Sequence, residues 1–269
     1  MRRCAARGEV LYTIGKIGPR EQALIDELKR LLEASKKAVV FTGAGISTES
    51  GIPDFRSPGG FWTKHKPIYF SDFIASKQMR IESWRRKIAA DEAFSRAEPN
   101  RGHRAIAHLV NQGKVRSVIT QNIDGLHQRS GITEEKIIEL HGNGTYAVCL
   151  RCNRRYELAS IFAAFKQSQE PPVCDDCGGR IKTATISFGQ PMPVDAMRRA
   201  HLESETCDLF LAIGSSLVVQ PAADFPVIAK RRGARLAILN RDPTDLDDIA
   251  DLVLHLEIGP TLGEVAGVD

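Results

Sequence analysis

Five apolar segments of the sequence are each followed at once by a short polar cluster that suits the binding of a nucleotide and its sugar. Glycines let backbone amides approach a pyrophosphate, and an imidazole can take a proton from a sugar hydroxyl. Because ligands of an open parallel sheet bind outside the carboxyl ends of its strands, we expect the clusters to converge on one cleft of a cofactor-using enzyme. The clusters are Thr42-Gly43-Ala44-Gly45-Ile46-Ser47, Thr120-Gln121-Asn122-Ile123-Asp124, His141-Gly142, Gly214-Ser215-Ser216 and Asn240-Arg241-Asp242.

Four of the six cysteines form two closely spaced pairs, Cys149-x-x-Cys152 and Cys174-x-x-Cys177, with 21 residues between the pairs. This spacing is typical of four thiolates that bind one tetrahedral zinc ion. Two disulfides are one alternative, which a reducing compartment disfavours, and a thioredoxin-like redox pair is another, which needs no second Cys-x-x-Cys. Since four sulfur ligands close the coordination sphere, we expect this zinc to stabilise the fold and to take no part in catalysis.

The elements that must position these residues are predicted by the apolar periodicity of the chain. Strands alternate with helices, which indicates an α/β fold with a mostly parallel, doubly wound sheet. From about Ser57 to Asn100 the pattern changes to irregular helices, and Pro99 ends that module. The predicted strands are 38–41, 115–119, 137–140, 209–213, 236–239 and 252–257, and the predicted helices are 20–34, 103–112, 193–205 and 222–232.

The composition excludes several classes of function. With 42% hydrophobic and 26% charged residues, the 269-residue chain is typical of a globular protein. Its net charge of +4 is too small to indicate nucleic-acid binding by itself. No apolar stretch reaches the roughly 20 residues that cross a bilayer, and the basic first residues lack the apolar core of a secretory signal. We therefore expect a cytoplasmic protein with no membrane partner.

The first glycine loop differs from the ordinary dinucleotide fingerprint. Gly43-Ala44-Gly45 follows an apolar strand, but Thr48 stands where Gly-x-Gly-x-x-Gly requires its third glycine. No Asp or Glu near position 65 is available for the adenosine ribose. The sequence therefore disfavours a standard dehydrogenase but keeps dinucleotide binding.

The continuation of that loop and five later motifs resemble the sirtuin family. In order, they read Gly-Ala-Gly-Ile-Ser with Ser-Gly-Ile-Pro-Asp-Phe-Arg, Thr-Gln-Asn-Ile-Asp-x-Leu-His, His-Gly, the paired Cys-x-x-Cys, Phe-Gly and Gly-Ser-Ser-Leu, between about Val39 and Val253. The resemblance implies a Rossmann-like NAD-binding domain (1–56, 101–142 and 188–269), a helical insertion (57–100) and a small zinc-ribbon domain (143–187).

The resemblance also implies an activity, the NAD-dependent removal of acyl groups from protein lysine, which gives nicotinamide and O-acyl-ADP-ribose. The family's partners are acylated-lysine proteins or peptides. Two alternatives stay open, a sirtuin-like protein ADP-ribosyltransferase and a zinc-ribbon module that binds nucleic acid. The second is disfavoured because residues 149–182 contain few aromatics and their basic residues are offset by acidic ones.

Individual roles follow from the same resemblance. His141 would be the catalytic base that activates a ribose hydroxyl, although a lone histidine is more often a packed side chain, and one near Cys149 could bind zinc. Phe188 and Gly189 would bind the substrate peptide. NAD would be bound by Gly43, Ala44, Gly45 and Ser47 at its phosphates, by Asp54, Phe55 and Arg56 in a loop over nicotinamide, by Gln121, Asn122, Ile123 and Asp124 at the nicotinamide ribose, and by Gly214, Ser215, Ser216, Asn240 and Arg241 from the phosphates to the adenosine.

Two departures bear on the substrate. Gln190 replaces the glutamate of the family's usual Phe-Gly-Glu, which removes one negative charge beside the peptide groove. None of the four tyrosines has an arginine three residues later, so the Tyr-x-x-Arg feature linked in this family to succinyl or malonyl groups is absent. We expect an acetyl or another neutral acyl group.

Overall fold

The computed structural model describes residues 18–54 and 66–269. None of the helices within these ranges is both long and apolar enough to span a bilayer. The helices are α1 (Pro19–Ala34), α2 (Phe70–Ala75), α3 (Lys77–Arg96), α4 (Arg101–Asn111), α5 (Leu126–Arg129), α6 (Leu158–Ser168), α7 (Val194–Thr206), α8 (Asp224–Arg231) and α9 (Ile258–Ala266). The strands are β1 (Ala38–Thr42), β2 (Val115–Thr120), β3 (Ile137–Glu139), β4 (Gly142–Cys149), β5 (Arg155–Glu157), β6 (Ile181–Thr185), β7 (Leu209–Ile213), β8 (Arg235–Leu239) and β9 (Leu252–Leu254).

A six-stranded parallel sheet with the order β3-β2-β1-β7-β8-β9 forms the centre of the larger part. Val40 and Leu211 face α1, α4 and α9 on one side, whereas Phe41 and Phe210 face α7 and α8 on the other. Since both faces are covered by helices, the central strands β1 and β7 are buried along their whole length, and all their residues except Thr42 are apolar. The predicted Rossmann-like, doubly wound sheet is confirmed.

The smaller part is built on an antiparallel sheet with the order β5-β4-β6, covered by α6. Its core is completed from outside by α3, because Trp84 is buried among Ala147, Phe165 and Ile181. The helical module and the cysteine segment therefore share one hydrophobic core. The division into three domains at the boundaries given above stays a prediction.

The C-terminal end of the sheet differs from the sequence expectation. The strand predicted over 252–257 ends at Leu254, and the chain then forms α9, which the periodicity had not indicated. Pro260 stands in the first turn of this helix, where its missing N–H has no intrahelical partner to lose. Ile258 and Leu262, one turn apart, are buried against α1 and α4, so tertiary packing stabilises the helix.

Candidate active site

The predicted polar clusters lie side by side at one edge of the large sheet. Gly43 N–H donates to the carbonyl of Ile213 at 3.0 Å, and Gly214 N–H donates to the carbonyl of Leu239 at 2.9 Å. The parallel hydrogen-bonding pattern thus continues one residue beyond the strands, which holds the loops after β1, β7 and β8 in register.

A cavity of about 1160 Å³ opens at this edge, between the large sheet and the smaller part. Ser47 and Asp124 are buried behind its wall and do not line it. Phe55 and Arg56 lie outside the described residues. The predicted residues that line the cavity are Gly43, Ala44, Gly45, Asp54, Gln121, Asn122, Ile123, His141, Phe188, Gly189, Gly214, Ser215, Ser216, Asn240 and Arg241.

The floor of the cavity is made by two glycine loops in backbone contact. A Cβ on Gly45 would lie 2.7 Å from Cα of Gly214, and a Cβ on Gly214 would lie 2.5 Å from the backbone nitrogen of Ile46. Gly214 also has a φ of 61°, in the left-handed region that favours glycine. Only residues without a side chain fit here, and the exposed backbone suits the close approach of a pyrophosphate.

A buried polar network ties the loop after β1 to the loop after β2. Ser47 Oγ donates to Asp124 Oδ2 at 2.7 Å. The Asn122 side-chain amide donates to the carbonyl of Gly43 at 3.0 Å and to Ser47 Oγ at 3.2 Å. The side chains of Ser47 and Asp124 therefore fix the position of the glycine loop and of Asn122 from behind.

His141 is held in a defined tautomer. Its Nδ1 lies 3.0 Å from the backbone carbonyl of Gln121, which can only accept, so Nδ1 carries the proton and Nε2 keeps its lone pair. Burial lowers the pKa of the half-buried imidazole from its usual 6.5, and the hydrogen bond to Gln121 opposes this only in part. The ring is therefore neutral at pH 7 and can accept a proton at Nε2.

Two other histidines are buried beneath the loops and stay neutral. His127 Nε2 lies 2.9 Å from Thr42 Oγ1, and its ring centroid lies 5.1 Å from that of His103. Neither ring nitrogen of His103 has a partner within the described part of the chain. Burial lowers the pKa of His103 to about 2 and that of His127 to about 4, the latter against the charge of Asp124. Both are packed side chains of the large part.

The four predicted zinc ligands lie together in the smaller part. All four sulfur atoms are within 4.8 Å of one another, with 3.5 Å between Cys149 and Cys177 and 3.6 Å between Cys152 and Cys174. These separations exceed the roughly 2.05 Å of a disulfide. They are close to the spacing of about 3.8 Å that tetrahedral Zn–S bonds of about 2.3 Å impose.

The surroundings of the sulfurs also fit a metal. A Cβ on Gly179 would lie 2.7 Å from the Cys149 sulfur and 3.1 Å from that of Cys177, so the chain leaves space for the sulfurs at this point. The Tyr156 hydroxyl donates to the Cys174 sulfur at 3.0 Å, which supports a thiolate. The donor set and its geometry therefore fit a structural zinc ion.

Some residues of the cavity were not found from the sequence. Leu256, Glu257 and Ile258 line it just after β9, and Ala90 and Phe94 line it from α3. Leu256, Glu257 and Ile258 follow the end of a strand, as the five clusters do. They would have been recognised if the last strand had been predicted to end at Leu254. No sequence signal marks the α3 residues, because their contact with the cavity depends on how the module packs.

Comparisons with known proteins agree with this architecture. The Sir2 family model matches residues 43–221. NAD-dependent protein deacetylase 1 of Bradyrhizobium diazoefficiens is 57% identical over 243 residues, which cover 90% of this chain and 95% of that protein. A Sir2 structure with deacetylated p53 peptide and 3′-O-acetyl ADP-ribose has a TM-score of 0.81 and 37% identity, and covers 91% of this chain and 99% of that one. Sir2Tm bound to a propionylated peptide has a TM-score of 0.78 and 38% identity, with the same two coverages.

Proposed function

The chain belongs to the Sir2 family, and we propose that the residues of its cavity divide between them the binding of NAD, the binding of the peptide and proton transfer. The protein is an NAD-dependent protein deacylase that removes acetyl or another neutral acyl group from protein lysine and gives nicotinamide and O-acyl-ADP-ribose. NAD and zinc are its cofactors. When bound, NAD supplies the ribose that receives the acyl group.

The proposed catalytic base is His141. One observation carries this proposal: the lone pair of Nε2 belongs to a side chain that lines the same cavity as the glycine loops and Phe188. The Gln121 carbonyl holds Nδ1 protonated, and burial keeps the ring neutral, so Nε2 is ready to take a proton from a ribose hydroxyl.

The proposed NAD site extends along the sheet edge. Gly43, Gly45 and Gly214 would bind the phosphates, because their backbone contact admits no side chain. Asn122 would contact the nicotinamide ribose from a position fixed by the Ser47 hydroxyl. The remaining residues are assigned along the same edge: Ala44, Ser215 and Ser216 near the phosphates, Asp54, Phe55 and Arg56 over nicotinamide, Gln121 and Ile123 around the ribose, and Asn240 and Arg241 at the adenosine. Asp124, expected from the resemblance at the ribose, lies behind the wall and would act through Ser47 instead.

Acylated-lysine peptides are the substrates, and we propose that they bind beside Phe188 and Gly189. Phe188 is 43% exposed and contacts Tyr69, with ring centroids 6.1 Å apart, so an aromatic surface is available at the mouth of the cavity. The cytoplasmic location, the absence of a nucleic-acid partner and the domain boundaries stay proposals made from the sequence.

The decisive experiment measures NAD cleavage and lysine deacetylation in the same reaction. Purified protein is incubated with NAD and two peptides that differ only in whether the central lysine is acetylated, and the products are identified by mass spectrometry. Nicotinamide and O-acetyl-ADP-ribose should form in equal amounts, and only in the reaction that contains the acetylated peptide. His141→Ala should lower turnover by about 10²- to 10⁴-fold while the zinc content stays unchanged. Full turnover in this variant would remove His141 from the mechanism, and ADP-ribose attached to protein without deacetylation would favour the transferase alternative.

A further inference from the structure

A second cavity, of about 740 Å³, lies outside the proposed catalytic site, between the start of α3 and the cysteine segment. We name it the basic groove. Apolar walls are supplied by Phe70, Ile74, Pro172 and Val173, and Val173 is 61% exposed. The groove therefore offers apolar contact at an accessible surface.

The charge of the groove is predominantly positive. Among the described residues, its lining includes four cationic side chains, Lys77, Arg80, Arg151 and Arg180, against a single carboxylate, that of Glu170. Lys77 and Glu170 pair at 2.6 Å, which leaves no carboxylate in this described lining for the three guanidinium groups. Nothing in the described sequence ranges forms an ion pair or hydrogen bond with the side chain of Arg180.

Two of the guanidinium groups have structural hydrogen bonds and one does not. Arg80 donates to the carbonyls of Phe73 and Ile74 at the end of α2, at 3.0 and 3.1 Å, and Arg151 donates to the carbonyl of Cys177 at 2.9 Å. Neither bond neutralises the charge. Burial and then the positive charge of Arg180 lower the pKa of Arg80, so the two cations repel each other and a bound anion between them would relieve the repulsion.

The groove is connected to the proposed peptide site through one backbone contact. Phe70, which lines the groove, donates its N–H to the carbonyl of Phe188 at 2.9 Å, and Phe188 lines the catalytic cavity. A peptide that leaves the cavity over Phe188 and Tyr69 thus reaches the groove. At the same end of the cavity, Gln190 stands where the family usually has a glutamate, so acidic residues of a substrate meet one negative charge fewer.

We propose that the basic groove is an exosite for acidic residues of the protein substrate, some distance along the chain from the acylated lysine. This proposal rests on the proposed function and names the substrate class: acylated proteins whose lysine is followed or preceded by a stretch of Asp and Glu. Carboxylates would bind at Arg180 and Arg80, and apolar side chains between them would pack on Val173 and Pro172.

The test compares kcat/KM for acetyl-lysine peptides that differ only in a stretch of glutamates or glutamines, placed on either side of the lysine at increasing separations. The quantity compared is the ratio of kcat/KM with the glutamate peptide to kcat/KM with the glutamine peptide. In the zinc-loaded wild type this ratio should exceed one for one of the placements. Arg180→Gln should lower this ratio by about two- to five-fold, the effect of an accessible ion pair. Glu170→Gln should raise this ratio, because the change removes the one carboxylate among the described lining residues of the groove. The matched control is Arg198→Gln, another exposed arginine, which lies on α7 and outside the groove.

The outcomes separate the two proposals. If no acetylated peptide is turned over, the proposed function fails before the exosite is tested. If the glutamine peptides are turned over but the ratio is the same in wild type, Arg180→Gln and Glu170→Gln, the exosite proposal is overturned. An oligonucleotide that binds through Arg180 while both peptides turn over equally would assign the groove to nucleic acid and would also overturn it. Added salt should reduce the ratio in the wild type and leave turnover of the glutamine peptide nearly constant.

Discussion

The buried pair His103 and His127 should make the protein lose stability on mild acidification. In an unfolded chain both imidazoles titrate near 6.5, whereas burial lowers the folded pKa to about 2 for His103 and to about 4 for His127. Both pKa values are depressed, so the stabilisation is present above pH 6.5 and is lost as pH falls from there toward the folded values. The unfolded state then binds two more protons than the folded state.

The size of the effect follows from proton linkage. Each additional proton bound by the unfolded chain lowers the free energy of unfolding by up to about 1.4 kcal/mol per pH unit. Between about pH 7 and about pH 5 each imidazole accounts for about 2 kcal/mol, and the pair for about 4 kcal/mol. A domain of ordinary stability, about 5–15 kcal/mol, would lose a substantial fraction of it.

His103→Leu isolates half of this effect. The substitution removes one titrating group and two buried nitrogen atoms that have no partner in the described structure, so stability near pH 7 should stay level or rise. The acid-side slope should fall by about half relative to wild type. Urea unfolding followed by circular dichroism at several pH values measures both quantities, and His108→Leu, an exposed position on the same helix, is the matched control. Loss of zinc at low pH affects all three proteins alike, so only the difference in slope is compared. An unchanged slope in His103→Leu would refute the reasoning.

Since burial lowers the pKa of His141 in the free protein, the acid limb of kcat/KM against pH should lie below the ordinary 6.5, and a limb at or above that value would contradict the proposed base. Gly179→Ala should reduce bound zinc, measured by metal analysis, because the new Cβ would lie 2.7 Å from a ligand sulfur. Gly18→Ala, where the nearest atom to the new Cβ lies 3.8 Å away and no left-handed φ is required, should retain the metal, and equal zinc in both variants would count against the site. Ser47→Ala removes a donor from the buried Asp124 carboxylate at a cost of about 1.5–3 kcal/mol in stability. The same substitution should raise KM for NAD more than KM for the peptide. Equal increases in the two KM values would contradict a role of Ser47 in positioning the NAD site.

Local patterns in the sequence were sufficient for the six strands of the large sheet, for α1, α4, α7 and α8, and for the edge at which the polar clusters meet. Apolar runs covered by helices on both faces become parallel strands, and polar residues just after such strands must lie at one edge. The spacing of Cys149-x-x-Cys152 and Cys174-x-x-Cys177 likewise predicted that the four sulfur atoms lie together, because each short turn brings its two sulfurs to one side. These features depend on residues that are neighbours in the chain.

The tertiary structure alone decided features that depend on residues far apart in sequence. The tautomer of His141 is set by the carbonyl of Gln121, and the need for glycine at 45 is set by the backbone of Gly214. The shared core around Trp84 and the basic groove arise from the packing of α3 on the cysteine segment. The amino-acid types thus determined which chemistry is available, whereas long-range packing determined which atoms carry it, because hydrogen-bond geometry and close approach have no counterpart in local periodicity.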